Sequence, residues 1–282
     1  MSTKILKFIP TVLGKITSSS LFSSQKIDNN KEKITTLPFE HLIQNLCDYL
    51  HPISGQESKD SITLSNLSIV IKNPFSFYQN LTLEPDEVKL SSYLTRLLNE
   101  YSTKLVCDVT NKKNGNNLLS LIEISKISKV SICTGVSLDY SYSDIKKYSN
   151  DLRYELLYGL NDKYIPAFIG EQLITNIFPK DKKEEELFEM VINDIINVHE
   201  TPIFIKLNHL QKNINTNTII PWLKTKNIIN KRKIVFEVSI GDYDNFESIE
   251  TLISTIALSG YSVVIGLFDC DLEDEEKIKK IQ

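Results

Sequence analysis

Ile165-Pro166-Ala167-Phe168-Ile169-Gly170-Glu171 is a short apolar run followed by a glycine and a carboxylate. Apolar side chains at successive positions suit a parallel strand buried on both faces. The glycine lets the chain turn, and an acid at the C-terminal end of such a strand lies where core meets solvent. Leu152–Tyr158, closed by Gly159, reads as a helix before this strand, and Lys180–His199 as a long helix after it. Helix, strand with a terminal acid, helix is one unit of an α/β barrel.

The pattern repeats in both directions. Strands are expected at Ile34–Leu42, Lys104–Thr110, Val130–Gly135, Thr201–Leu207, Lys233–Ile240 and Tyr261–Phe268, which with Ile165–Glu171 makes seven. Between them helices are expected at Pro85–Tyr101, Leu118–Ile127, Asp144–Tyr158, Lys180–His199, Thr218–Lys226 and Phe246–Ser259. In the first of these, Val88, Leu90, Tyr93, Leu94, Leu97 and Leu98 form the expected apolar face, with Pro85 in the first turn. Ser143 and Asp144 suit a helix N-cap, and Gly260 a helix C-terminus. Strand–helix alternation of this length indicates a parallel α/β fold. The expected fold is a TIM (β/α)8-type barrel, incomplete because no eighth strand is legible. Residues 1–33 are expected as a partly flexible N-terminal lead, and 34–282 as the barrel domain lacking that strand.

Composition narrows the function. A chain of 282 residues suits one large α/β domain, since such barrels run to about 250 residues. The net charge of -4 argues against a nucleic-acid partner, which needs a concentrated basic face. No apolar run is long enough for a transmembrane helix, so no membrane partner is expected. The cysteines Cys47, Cys107, Cys133 and Cys270 are far apart, without the spacing of a zinc finger or redox motif. Cys107 and Cys133 read as core thiols, which fits a reducing, cytoplasmic compartment. The first 25 residues carry lysines, serines and no acid, as a transit peptide does, but Pro10 and Gly14 interrupt any amphipathic helix there.

Several separated pieces, in order, resemble the phosphotriesterase-related protein family of the amidohydrolase superfamily. They are Thr11-Val12-Leu13-Gly14, Thr36-Leu37-Pro38-Phe39-Glu40-His41-Leu42, Ile69-Val70-Ile71-Lys72-Asn73, and Glu155-Leu156-Leu157-Tyr158-Gly159 followed by Phe168-Ile169-Gly170-Glu171. The resemblance implies a hydrolase of amide or ester bonds in small molecules, with two divalent metals such as zinc at the mouth of the barrel. Such metals polarise the substrate and lower the pKa of a bridging water. Carried onto this chain, the resemblance makes His41 and Glu171 metal positions, with Glu171 the bridging acid. Phe39 stands where a first-strand histidine is expected, Lys206 where the fifth-strand histidine is expected, and Val238 at the sixth-strand position. Asp108 and His209 are the nearby residues able to assist. The alternative is a catalytically inactive paralogue that keeps the barrel as a binding or structural protein. Lys206 supplies a reason for it: an ammonium is a fixed positive charge where metal would sit, and it is expected to pair with Glu171.

Overall fold

The computed structural model describes residues 8–17, 35–53, 61–83, 86–138, 144–159, 164–174, 179, 181–207, 215–239 and 246–266. The chain forms two compact units, Met1–Gly135 and Val136–Gln282.

The first unit opens with a hairpin of β1 (Phe8–Thr11) and β2 (Gly14–Thr17). This hairpin lies within the N-terminal lead expected from sequence. Its turn is closed by the Thr11 hydroxyl donating to the Gly14 carbonyl at 2.6 Å, with Gly14 at a positive φ of 119° that suits glycine. Strand β3 (Thr35–Glu40) follows, then the short β4 (Gln44–Asn45), helices α1 (Leu67–Lys72) and α2 (Tyr78–Leu81), and β5 (Thr82–Leu83), which pairs with β4.

Helix α3 (Glu87–Tyr101) begins at the Asp86 cap, whose carboxylate accepts from the Lys89 amide, and Pro85 lies outside the described residues. Its inward face is Ser91 and Leu94 flanked by Leu90 and Leu97, while Val88 and Tyr93 are exposed, so the apolar stripe is narrower than its periodicity promised. Strand β6 (Thr103–Asp108), helix α4 (Leu118–Ser128) and strand β7 (Ser131–Val136) complete the unit. Strands β3, β6 and β7 lie parallel in that order. The hairpin seats on β7: the buried Val12 donates its amide to the Ile132 carbonyl at 2.9 Å.

The second unit starts with α5 (Ile145–Tyr158), capped by Asp144. Then come β8 (Phe168–Ile174) and α6 (Lys182–Met190), which runs on through a π-helical turn (Val191–Ile196) to Asn197–His199. Strand β9 (Ile203–Leu207), helix α7 (Asn215–Lys224), β10 (Ile234–Ser239), α8 (Phe246–Leu258) and β11 (Ser262–Gly266) follow. Strands β8, β9, β10 and β11 are parallel neighbours. Their outward side chains and the helices enclose one apolar core that includes Ile205, Phe236, Val238, Ile220 and Ile256. Across both units the described residues contain seven parallel strands alternating with helices, the repeat of a TIM-type barrel.

The strand that organised the sequence reading lies three residues later than expected. Pro166 has no amide to donate, and the ladder begins where Ile169 donates to the Pro202 carbonyl at 2.8 Å. It continues past Glu171, because Gln172, Leu173 and Ile174 pair with Ile205, Lys206 and Leu207. Glu171 is therefore inside the strand and not at its end. Between Ile169 and Gln172 the register shifts against β9: three steps on β8 face two on its neighbour. Gly170 takes the extra residue at φ 131°, and a Cβ there would meet the Phe204 carbonyl oxygen at 2.6 Å.

Gly170→Ala should therefore lower the unfolding free energy by about 2–4 kcal/mol, from strained φ plus backbone collision. Equilibrium urea unfolding measures it, and a variant within ~0.5 kcal/mol of the parent would show that the bulge is not constrained at this position.

Candidate functional site

Polar side chains gather at two places, one in each unit. In the second unit the bulge turns Glu171 toward Lys206 of β9, and Lys206 is in direct register with Glu237 of β10. Register partners in a parallel pair project to the same face. The Lys206 ammonium accordingly lies 3.8 Å from Glu171 Oε1 and 3.6 Å from Glu237 Oε2. Glu237 is 1 % exposed, against 23 % for Lys206 and 16 % for Glu171. A carboxylate buried that deeply costs several kcal/mol unless countered. At an effective dielectric of about 20, a cation near 4 Å returns roughly 4 kcal/mol. Lys206 thus offsets a large part of the cost of holding two acids together.

In the first unit the ends of β3 and β6 meet. Glu40 is in register with Asp108, and the Val109 amide donates to the Glu40 carbonyl at 2.9 Å. Asp108 is fully buried. Its Oδ1 accepts from the Thr110 amide at 2.8 Å, while Oδ2 has no hydrogen-bond partner among the described residues. Burial pushes the Asp108 carboxyl up to about 6, against the pull of its hydrogen bonds from Thr110 and of the His41 charge. Burial also raises Glu40, opposed by His41. His41 Nδ1 and the Thr110 hydroxyl are 3.0 Å apart. Asn116 reaches across from the following loop, donating to the Thr110 carbonyl at 2.9 Å and the Thr134 hydroxyl at 3.0 Å.

The residues named from sequence fall as follows. Lys206 and Glu171 meet, as their charges required. His41 is held by Thr110, and Phe39 is buried. Val238 is buried in the apolar core, and the β10 residue facing Lys206 is Glu237. Asp108 bonds to Thr110 in its own loop, and His209 lies outside the described residues. Glu237 was missed. The signal for it was a single acid inside the apolar run Lys233–Ile240, since a charge buried in a parallel strand needs a counter-charge.

This donor set does not fit a divalent metal. Phe39 and Val238 offer no ligand atom, and an ammonium has donors but no acceptor. A metal ligated by Glu171 would have to share the space next to Glu171 and Glu237 with the positive charge of Lys206. Among the described residues no group of three or more His, Cys, Asp or Glu side chains is placed to hold a metal ion. Nor is any described helix long and apolar enough to cross a membrane.

No protein-family model matches the chain, and no curated protein matches it in sequence. Solved structures do match in fold. A resiniferatoxin-binding protein from Rhodobacter sphaeroides aligns over 92% of this chain and 80% of its own, with TM-score 0.65 and 16% identity. A protein described as organophosphate hydrolysis activity engineered from a weak promiscuous lactonase template covers 98% of this chain and 77% of its own, with TM-score 0.59 and 17% identity. A double mutant of the organophosphorus hydrolase from Deinococcus radiodurans covers 100% and 78%, with TM-score 0.59 and 16% identity. The chain therefore shares the TIM-type barrel fold of these structures.

Asp108 makes stability depend on pH. Its folded pKa of about 6 lies above the unfolded value near 3.9, so its contribution is full below about pH 4 and is lost as pH rises through 6. Asp108→Asn removes that loss. Relative to the parent, the variant should gain about 1 kcal/mol between about pH 5 and pH 7.5. Urea unfolding at the two pH values measures the change, and parallel shifts in both proteins would refute it.

Proposed function

We propose that this chain is a diverged member of the phosphotriesterase-related family that binds a small molecule and has exchanged metal chemistry for a fixed ammonium. The observation that carries this reading is Lys206, set 3.8 Å from Glu171 and 3.6 Å from Glu237. A metal centre would use Glu171 as an acceptor toward a cation, and here the chain supplies the cation itself. Phe39 in place of a ligand adds to the argument. The name of the Rhodobacter structure, a resiniferatoxin-binding protein, is consistent with a barrel of this fold serving to bind. The competing reading is a metal-dependent hydrolase of amide or ester bonds, as the organophosphorus hydrolase fold implies.

Metal analysis of the purified protein separates the two. The expected result is substoichiometric zinc and manganese, and no hydrolysis of lactone or organophosphate on adding either ion. One or two equivalents of metal, lost in Glu171→Ala together with metal-dependent turnover, would establish the hydrolase instead. The ionic cluster itself is tested by stability. Lys206→Met leaves two acids facing each other and should cost about 3 kcal/mol, and adding Glu237→Gln should restore part of it. Equal losses in the single and double variants would mean that the charges are not coupled.

A further inference from the structure

The first unit also contains two thiols outside the polar cluster. Cys107 of β6 and Cys133 of β7 are in direct register, so their side chains project to the same face of adjacent parallel strands. Neighbouring strands lie about 4.8 Å apart, inside the Cα separation of about 4.4–6.8 Å that a disulfide spans. Both cysteines are free thiols, Cys107 partly exposed and Cys133 buried. The Cys133 thiol donates to the Pro10 carbonyl at 3.1 Å, a link from β7 to the N-terminal hairpin.

We propose that Cys107 and Cys133 form a dithiol that a hydroperoxide oxidises to a cross-strand disulfide, and that oxidation releases one of the ties between β7 and the β1–β2 hairpin. Cys107 reacts first because it is the reachable sulfur. Its thiolate attacks one peroxide oxygen, the O–O bond breaks, and hydroxide leaves, giving a sulfenic acid on Cys107. The Cys133 sulfur then attacks the Cys107 sulfur, the S–O bond breaks, and the Cys133 proton goes to the departing hydroxide as water. In total two thiols and one hydrogen peroxide give one disulfide and two waters, a two-electron oxidation of the sulfurs. The neighbouring Cys107 thiol, then burial, hold the Cys133 thiol well above the usual range, so it is protonated and serves as the resolving partner. Once oxidised, Cys133 has no S–H to donate to Pro10. The amide link from Val12 to Ile132 remains, so the hairpin loosens at one point and does not detach.

The test is hydrogen peroxide treatment of the full chain, alkylation of residual thiols, and peptide mapping without reduction. A linked Cys107–Cys133 peptide and the loss of two hydrogen masses are expected, reversed by dithiothreitol. In Cys133→Ser the reaction should stop at a sulfenic acid on Cys107 that dimedone traps. Proteolytic cleavage within residues 8–17 should be several-fold faster in the oxidised protein. Linkage to Cys47 or Cys270, sulfinic acid on Cys107 without linkage, or persistence of both thiols would overturn the dithiol. Unchanged cleavage with the disulfide formed would overturn the released tie. The wild-type mapping stands even if the serine variant fails to fold.

Discussion

A carboxylate in the interior of a parallel sheet has to be neutralised, and Glu237 imposes that demand on the second unit. Its strand, β10, is flanked on both sides by other strands and packs its outward residues into the apolar core. Water cannot solvate the acid there, so the neighbouring strand supplies an ammonium in register. With Lys206 fixed, a second acid can approach from the opposite side, and the bulge at Gly170 brings Glu171 to it. The ion cluster, the bulge and the register of β8, β9 and β10 are therefore one solution to one electrostatic problem.

The first unit answers a similar demand differently. Asp108 is as deeply buried, yet its compensation comes from Thr110 hydrogen bonds and from a greater hold on its own proton. A cation neutralises an acid at every pH where both are charged, whereas a proton does so only below the shifted pKa. Asp108 carries a sensitivity to acidity.

The strand–helix order was legible because hydrophobic runs and helix caps are local signals. Asp144 and Gly260 mark helix ends in the structure as they do in the sequence. Pairing of Lys206 with Glu171 was also legible, because the resemblance placed both at the mouth of the barrel and their charges are opposite. Residue-level offsets were not. Whether β8 ends at Glu171 depends on which residues of β9 lie beside it, and that is a tertiary fact. A one-residue difference on β10 hid Glu237 behind Val238, because moving one position along a strand exchanges its two faces. Exposed Val88 and Tyr93 show the corresponding limit for helices: periodicity defines a stripe but not how much of it a neighbour covers. The hairpin at residues 8–17 was obscured by its setting, since Pro10 and Gly14 read as helix breakers inside a lysine- and serine-rich lead.

The π-helical turn after α6 has a geometric consequence. Its buried residues are Leu187, Val191 and Ile195, and beside them Phe188, Ile192 and Ile196, two rows with a strict repeat of four. An α-helical turn holds fewer than four residues, so such rows would wind steadily around the axis. A π turn holds more than four and winds them back. Joining one kind to the other keeps both rows nearly parallel to the axis, and a single long helix can lie along the sheet without rotating its apolar side toward water.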